Sequence, residues 1–110
     1  MKQRITVLGS TGSIGTSTLD VVARHPDRFE VFALSASTQV DLMLAQCARF
    51  APRYAVMASA EHGRLLQEKI KQNSLPTIVL QAQDAIELIA SHAEVDMVMA
   101  AIVGAAGLAP

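Results

Sequence analysis

Three glycines at regular spacing, Gly9, Gly12 and Gly15, are the residues of this sequence best suited to chemistry, because backbone without side chains can approach a charged ligand closely. They follow a short apolar run, residues 5–8, which predicts a strand buried on both faces, and they open a segment of helical periodicity. Free amides at a helix start, at the positive end of its dipole, favour an anion. The sequence therefore predicts a phosphate-binding turn, with Gly9 at the bend, Gly12 beneath the ligand and Gly15 packing helix on strand.

The spacing of this motif is G-x-x-G-x-x-G, one residue longer than the G-x-G-x-x-G pattern of dinucleotide-binding domains. Thr11 and Ser13 would add hydroxyl donors to the rim of the turn. Two other interpretations stay open. The glycines could merely connect strand to helix, and Ser10 and Ser13 could serve only as helix caps.

The end of the second predicted strand bears on which dinucleotide is bound. NAD-binding domains place a carboxylate there to hold the ribose 2′-hydroxyl. Here that place holds Ser37, Thr38 and Gln39, with no acid before Asp41 and no Lys or Arg. A ribose 2′-phosphate would not be repelled and could accept hydrogen bonds from hydroxyl or amide groups, which favours NADP over NAD. Thr38 could instead cap the second helix, with Asp41 completing a capping box.

Strand and helix patterns alternate along the whole chain. Five strands are predicted, at residues 5–8, 29–35, 54–57 and 77–80 and within 95–103. Four helices lie between them, at residues 13–25, 39–50, 60–73 and 82–91, the third capped by Ser59. Strict alternation implies right-handed crossovers and helices on both faces. The fold class is therefore α/β, a Rossmann-type three-layer α/β/α domain with a mostly parallel sheet of at least five strands.

Burial is predicted from side-chain type and periodicity. The first helix is expected to bury Ile14, Leu19, Val21 and Val22, and the fourth Ile86, Ile89 and Ala90. Four methionines are expected in the core: Met43, Met57, Met97 and Met99. Cys47 is expected to be a buried helical residue. Three histidines without metal-ligand spacing are expected at the surface: His25, His62 and His92.

Composition excludes several classes of partner. An apolar fraction of 51% with 17% charged residues is typical of a folded domain. A net charge of −1 provides no basic field for nucleic acid or an anionic membrane. The uncharged run 97–109 is shorter than the roughly 20 residues of a spanning helix, and nothing at the start resembles a signal peptide. With a single cysteine, no intramolecular disulfide can form. We therefore expect a cytoplasmic protein.

Four segments carry a resemblance to a known family. They are ITVLGSTGSIG at residues 5–15, STLDVV at 17–22, PRYAVM at 52–57 and VDMVMAAIVGAAGL at 95–108. The whole chain resembles the 1-deoxy-D-xylulose 5-phosphate reductoisomerase family. The resemblance implies NADPH as cofactor, a divalent metal (Mg or Mn), a homodimer, and the conversion of 1-deoxy-D-xylulose 5-phosphate to 2-C-methyl-D-erythritol 4-phosphate in non-mevalonate isoprenoid synthesis.

The resemblance also implies roles for individual residues. Four residues of the turn are implied to hold the cofactor pyrophosphate: Thr11, Gly12, Ser13 and Ile14. Three residues at the end of the range predicted for the fifth strand are implied to lie along the adenosine and ribose: Ala101, Ile102 and Val103. The family often has Gly-Lys-Asn or Gly-Ser-Asn where this chain has Ser37, Thr38 and Gln39. That difference removes a possible cation at the 2′-phosphate.

A chain of 110 residues has room for one domain. We expect residues 1–110 to be the NADPH-binding domain of a longer enzyme whose metal ligands and substrate-phosphate ligands lie downstream, so that this chain alone contains no catalytic or metal-binding residue and is inactive. Two alternatives stay open. A nucleotide-sensing regulator would need a basic or amphipathic partner segment, which we do not find. A semialdehyde-class dehydrogenase would need a cysteine nucleophile, for which Cys47 is badly placed.

Overall fold

The computed structural model describes residues 3–80 and 82–100, except for the side chains at 82–84, 86, 87 and 100. Strands and helices alternate along these residues as predicted. The strands are β1 (Gln3–Leu8), β2 (Phe29–Ala36), β3 (Tyr54–Met57), β4 (Ile78–Leu80) and β5 (Met97–Ala100). The helices are α1 (Ser13–Arg24), α2 (Val40–Phe50), α3 (Ala60–Gln72) and α4 (Ala82–Ser91). The predicted bounds of β1 to β4 and of the four helices differ from these by a few residues at most, and β5 lies within the predicted range 95–103.

The five strands form one parallel sheet in the order β4-β3-β2-β1-β5. From β1 to β4 each connection steps in the same direction, so right-handed crossovers place α1, α2 and α3 on one face. The return from β4 to β5, on the other side of β1, places α4 on the opposite face. The chain thus reverses its direction of winding between β1 and β5. In open α/β sheets this switch point, at the carboxyl ends of the strands, forms the ligand crevice.

Two hydrophobic clusters cover the two faces of the sheet. On the α1–α3 side, Leu19, Met43 and Leu66 pack on alternate residues of the strands. On the α4 side, Ile89 packs against Phe32 and other strand residues. A fully buried side chain of this size stabilises the fold by about 1.5–3 kcal/mol. The predicted α/β/α layering is confirmed.

Helix α1 turns a narrower face to the sheet than its composition predicts. It buries Gly15, Leu19 and Val22, which are spaced one turn apart along one side. The prediction that Ile14 and Val21 also face inward is wrong, since they are 49% and 52% exposed. These two residues are seven apart and form a neighbouring stripe that the sheet does not reach.

Two further predictions, one about a helix end and one about the core, need correction. Thr38 does not cap α2, because the N-cap is Gln39 and the structure describes no side-chain capping bond at this helix start. Met97 and Met99 are not core residues, being 37% and 40% exposed, because β5 is an edge strand of the described sheet. Ser59, in contrast, caps α3 as predicted, its side chain accepting a hydrogen bond from the His62 amide.

The three histidines predicted at the surface all reach it, but two of them are only partly exposed. His25 is exposed, as expected. His92 is half-buried, with its ring centroid 4.9 Å from that of Phe32. His62 is also half-buried, and its Nδ1 lies 2.6 Å from the Ser59 hydroxyl. Tertiary packing brings Phe32 to the His92 ring, and helix capping brings Ser59 to the His62 ring. The spacing of the histidines in the sequence indicates neither contact.

Cys47 is fully buried in α2, as predicted. Burial raises the pKa of its thiol to about 11, while a hydrogen bond with Thr77 acts in the opposite direction. A neutral, buried thiol is the reverse of an activated nucleophile. The semialdehyde-dehydrogenase alternative therefore has no candidate nucleophile at this residue.

This burial leads to a prediction on reactivity. At pH 8 we expect iodoacetamide to alkylate Cys47 about a hundredfold more slowly in the native than in the unfolded protein, as the higher pKa leaves less thiolate. Folding raises the pKa of the Cys47 thiol. The contribution of the neutral thiol to the free energy of unfolding is therefore fully present below the unfolded-state pKa and is lost as the pH rises toward 11. Quantifying the Cys47 peptide by mass spectrometry measures the rate. Equal native and unfolded rates would contradict the burial.

Among residues 3–80 and 82–100, no helix is long and apolar enough to cross a membrane.

Candidate functional site

The turn between β1 and α1 is anchored to the carboxyl end of β2. Gly9 adopts a left-handed φ of 78°, which glycine tolerates without strain. Its N–H lies 3.0 Å from the Ser35 carbonyl oxygen and 3.1 Å from Ser35 Oγ, and the Ser10 N–H donates to the same carbonyl at 2.8 Å. The predicted role of Gly9 at the bend is confirmed. Hydrogen bonds thus tie the turn to the second strand as well as to the first strand, which it follows in the chain.

Gly15 is required by packing of α1 on that turn. A Cβ at Gly15 would overlap the Gly9 carbonyl oxygen and would lie 2.7 Å from Ser10 Cα. Both neighbours are backbone atoms that other hydrogen bonds hold in place, so they cannot move aside cheaply. Glycine at this position permits close packing of the helix, as predicted. The helix packs here against the backbone of the turn itself.

Gly12 differs from the other two glycines of the motif. It is the N-cap of α1, with φ −78° and ψ 172°, an extended conformation open to any residue. A Cβ here would lie 3.6 Å from the Gly9 carbonyl oxygen, an ordinary contact. Gly12 is also exposed. Neither the backbone nor the packing of the described residues needs a glycine here, whereas a ligand lying close to the backbone would.

The amides at the start of α1 are open to a ligand. Gly12 N–H donates to the Gly9 carbonyl at 3.2 Å, and Thr16 N–H donates to the Gly12 carbonyl at 2.9 Å. Within the described part of the chain, no acceptor is found for the amides of Thr11, Ser13 and Ile14. Unpaired first-turn amides and the positive end of the helix dipole together attract anions.

The interpretation of the two serines as helix caps is wrong. Among the residues that the structure describes, no side chain caps α1. Ser10 is fully buried and its hydroxyl donates to Gln46 Oε1, away from the helix start. Ser13 is exposed, and its carbonyl oxygen accepts a hydrogen bond from Thr16 Oγ1 at 3.0 Å. The first-turn amides are therefore left to solvent or to a ligand.

The switch point brings the end of β5 beside this turn. Leu8, the last residue of β1, pairs in register with Ala100, the last residue of β5. The three residues that the family resemblance assigns to the adenosine and ribose follow directly in the sequence and lie outside the described residues: Ala101, Ile102 and Val103. Their assignment stays a prediction.

The segment considered for a ribose 2′-phosphate also lies at the carboxyl edge of the sheet. Ser37, Thr38 and Gln39 follow β2 and are all exposed. The Thr38 carbonyl accepts from the Val40 N–H at 2.9 Å, and the Gln39 side chain makes no capping bond. Asp41, in the first turn of α2, lies 3.5 Å from Lys69 Nζ in an exposed ion pair. The hydroxyl and amide groups of this segment therefore remain available as donors.

Sequence reasoning missed a buried polar contact behind the turn, between Ser10 and Gln46. The two residues are 36 positions apart in the chain. A glutamine on the buried side of an amphipathic helix was the one available signal, since buried polar groups need a partner. Within residues 3–80 and 82–100, no three His, Cys, Asp or Glu side chains come together as a group that could hold a metal ion.

A parallel sheet with a glycine-rich turn and free helix amides at its switch point defines a Rossmann-type α/β domain. The sequence profile described as 1-deoxy-D-xylulose 5-phosphate reductoisomerase matches residues 5–110. The chain belongs to the 1-deoxy-D-xylulose 5-phosphate reductoisomerase family, as the four sequence segments predicted.

Relatives and solved structures agree with this assignment. The reductoisomerase of Nitrosospira multiformis is 57% identical over 98% of this chain, which spans 27% of that relative's length. A crystal structure of DOX-P reductoisomerase in complex with NADPH, fosmidomycin and magnesium has a TM-score of 0.88 and 42% identity, covering 96% of this chain and 26% of its own. The Zymomonas mobilis enzyme in complex with NADPH has a TM-score of 0.84 and 36% identity, covering 98% of this chain and 28% of its own. The chain spans about a quarter of the length of these proteins.

Proposed function

We propose that this chain is the NADPH-binding domain of an enzyme that isomerises and reduces 1-deoxy-D-xylulose 5-phosphate to 2-C-methyl-D-erythritol 4-phosphate. The observation that carries the proposal is the turn at the switch point, where the amides of Thr11, Ser13 and Ile14 meet no acceptor among residues 3–80 and 82–100 and the packing of those residues does not need a glycine at Gly12. Family relatives bound to NADPH support the choice of cofactor.

The pyrophosphate would lie on the turn. Thr11, Gly12, Ser13 and Ile14 would hold it through backbone amides and hydroxyl groups, with the helix dipole adding favourable electrostatics. Gly9 and Gly15 would act on the shape of the turn and not on the ligand. When bound, NADPH supplies the hydride for the reduction, and the role of these residues is to bind and orient it.

The adenosine end would lie across the neighbouring strand ends. Ala101, Ile102 and Val103 would line the adenosine and ribose, and Ser37, Thr38 and Gln39 would donate hydrogen bonds to the 2′-phosphate. Neutral donors give weaker phosphate binding than a cation would, because a cation adds Coulomb attraction to its hydrogen bonds with the phosphate. The absence of a carboxylate at these three positions still favours NADPH over NADH.

The remaining functions belong to the longer protein that we propose. There, residues outside 1–110 would bind the divalent metal, Mg or Mn, and the phosphorylated sugar, and the protein would act as a cytoplasmic homodimer. Residues 1–110 alone would bind cofactor without turning over substrate, because the groups that contact the sugar would be missing.

The proposal is tested by fluorescence titration of the full-length protein with NADPH and with NADH. We expect NADPH to bind at least as tightly as NADH. The segment Ser37, Thr38 and Gln39 contains no acid that could hold a ribose 2′-hydroxyl or repel a 2′-phosphate. Thr38→Lys, which restores the cation often found in the family, should tighten NADPH binding and leave NADH binding unchanged. A clear preference for NADH would contradict the proposed cofactor.

A further inference from the structure

A buried pair of side chains ties the middle of α2 to the glycine turn. Ser10 Oγ donates to Gln46 Oε1 at 2.7 Å, and Gln46 Nε2 donates to the Ser10 carbonyl oxygen at 2.8 Å. Ser10 is 0% and Gln46 7% exposed. A carbonyl oxygen can only accept, so the amide nitrogen of Gln46 must face it, and the amide oxygen is then left for the hydroxyl. The contact therefore has one chemically consistent orientation.

This contact sets the orientation of the next peptide group. In a trans peptide the carbonyl oxygen and the following N–H point in opposite directions, and the described residues contain no cis peptide. The Ser10 carbonyl points inward to Gln46 on α2. The Thr11 N–H must therefore point away from α2, toward the open side of the turn, where it meets no acceptor among the described residues.

The other hydrogen bonds of the turn do not perform this task. The Ser35 carbonyl holds the amides of Gly9 and Ser10, and the Gly9 carbonyl holds the Gly12 amide. None of these bonds involves the peptide group between Ser10 and Thr11. Of the contacts that the structure describes, the Gln46 side chain is the one that holds this peptide.

We propose that Gln46 is a positioning residue for the pyrophosphate: it holds the Ser10–Thr11 peptide so that an N–H, and not a carbonyl oxygen, faces the anion. The inference rests on the proposed function, because it assigns Gln46 an effect on the same site. Without the Gln46 donor the peptide is free to rotate. A carbonyl dipole then replaces an amide dipole on the ligand side, which exchanges attraction for repulsion.

The test uses Gln46→Met in the full-length protein, since methionine has a similar length but neither donates nor accepts strongly. We expect the Kd for NADPH to rise about tenfold, as expected for loss of one aligned hydrogen bond. The KM for NADPH should rise with it while kcat stays within about twofold. Binding of 2′-AMP, which has no pyrophosphate, should be unchanged. Gln46→Leu, which also lacks the donor and adds no charge, should weaken NADPH in the same direction and serves if Gln46→Met does not fold.

The matched control is Thr6→Val. It removes a similarly buried hydrogen bond, from Thr6 Oγ1 to the Ile89 carbonyl at 2.8 Å, on the opposite face of the sheet. This variant should lose stability without losing NADPH affinity. Gln46 variants that bind NADPH as tightly as wild type, or that weaken 2′-AMP equally, would overturn the positioning role. Failure of the wild-type protein to bind NADPH would instead overturn the proposed function, and the two failures are thus distinguishable.

Discussion

Gly15→Ala should destabilise the protein by about 3 kcal/mol, the upper part of the range for an overpacked site. The new methyl group would overlap the Gly9 carbonyl oxygen and lie 2.7 Å from Ser10 Cα. These are backbone atoms, anchored by the hydrogen bonds to Ser35, so α1 must move away from the sheet instead. The displaced helix start would weaken cofactor binding as well. Urea unfolding followed by circular dichroism measures the loss of stability.

The control for this prediction is Gly12→Ala, three residues earlier in the same motif. A Cβ at Gly12 meets nothing closer than 3.6 Å, and its φ of −78° suits alanine. We expect its stability to lie within about 1 kcal/mol of wild type, since reduced freedom of the unfolded chain offsets the poorer helix cap. Similar urea midpoints for Gly15→Ala and wild type would show that helix and turn do not pack as closely as described.

Gly12→Val should abolish NADPH binding, with an affinity loss of about a hundredfold or more, while the fold is retained. Valine is compatible with the extended backbone at Gly12, so it costs the protein little. Its side chain would project into the space where we propose that the pyrophosphate approaches the backbone, and binding energy that depends on that approach is lost. Titration with NADPH, together with a circular dichroism spectrum, measures both properties.

The control for Gly12→Val is Gly63→Ala in α3. A Cβ there would lie 3.9 Å from Val79 Cγ1, an ordinary contact. Alanine within a helix should stabilise the protein by about 0.5–1 kcal/mol and leave NADPH affinity unchanged. Normal NADPH binding by Gly12→Val would rule out the pyrophosphate position on this turn and, with it, the effect that we assign to Gln46.

The element order and the sheet were predictable because their signals are local. Apolar runs of strand length alternate with helical periodicity, and the bounds of β3 and α4 were predicted to the residue. The turn could be located because its three glycines follow the first strand. The predictions that failed concern which residues of one element pack against another element. Helix periodicity showed that α1 is amphipathic but could not show how wide a face the sheet would cover, so Ile14 and Val21 were placed inside.

The amino-acid sequence alone determined the alternating α/β fold, the position of the glycine turn and the family, because each rests on patterns within a few residues or on matching segments. Only the tertiary structure separated the three glycines by role, with Gly9 needed for its φ, Gly15 for close packing and Gly12 for neither. It also brought Gln46 to Ser10 across 36 residues. Such a contact depends on how α2 is seated on the sheet, and that position is set by the whole core and not by any local pattern.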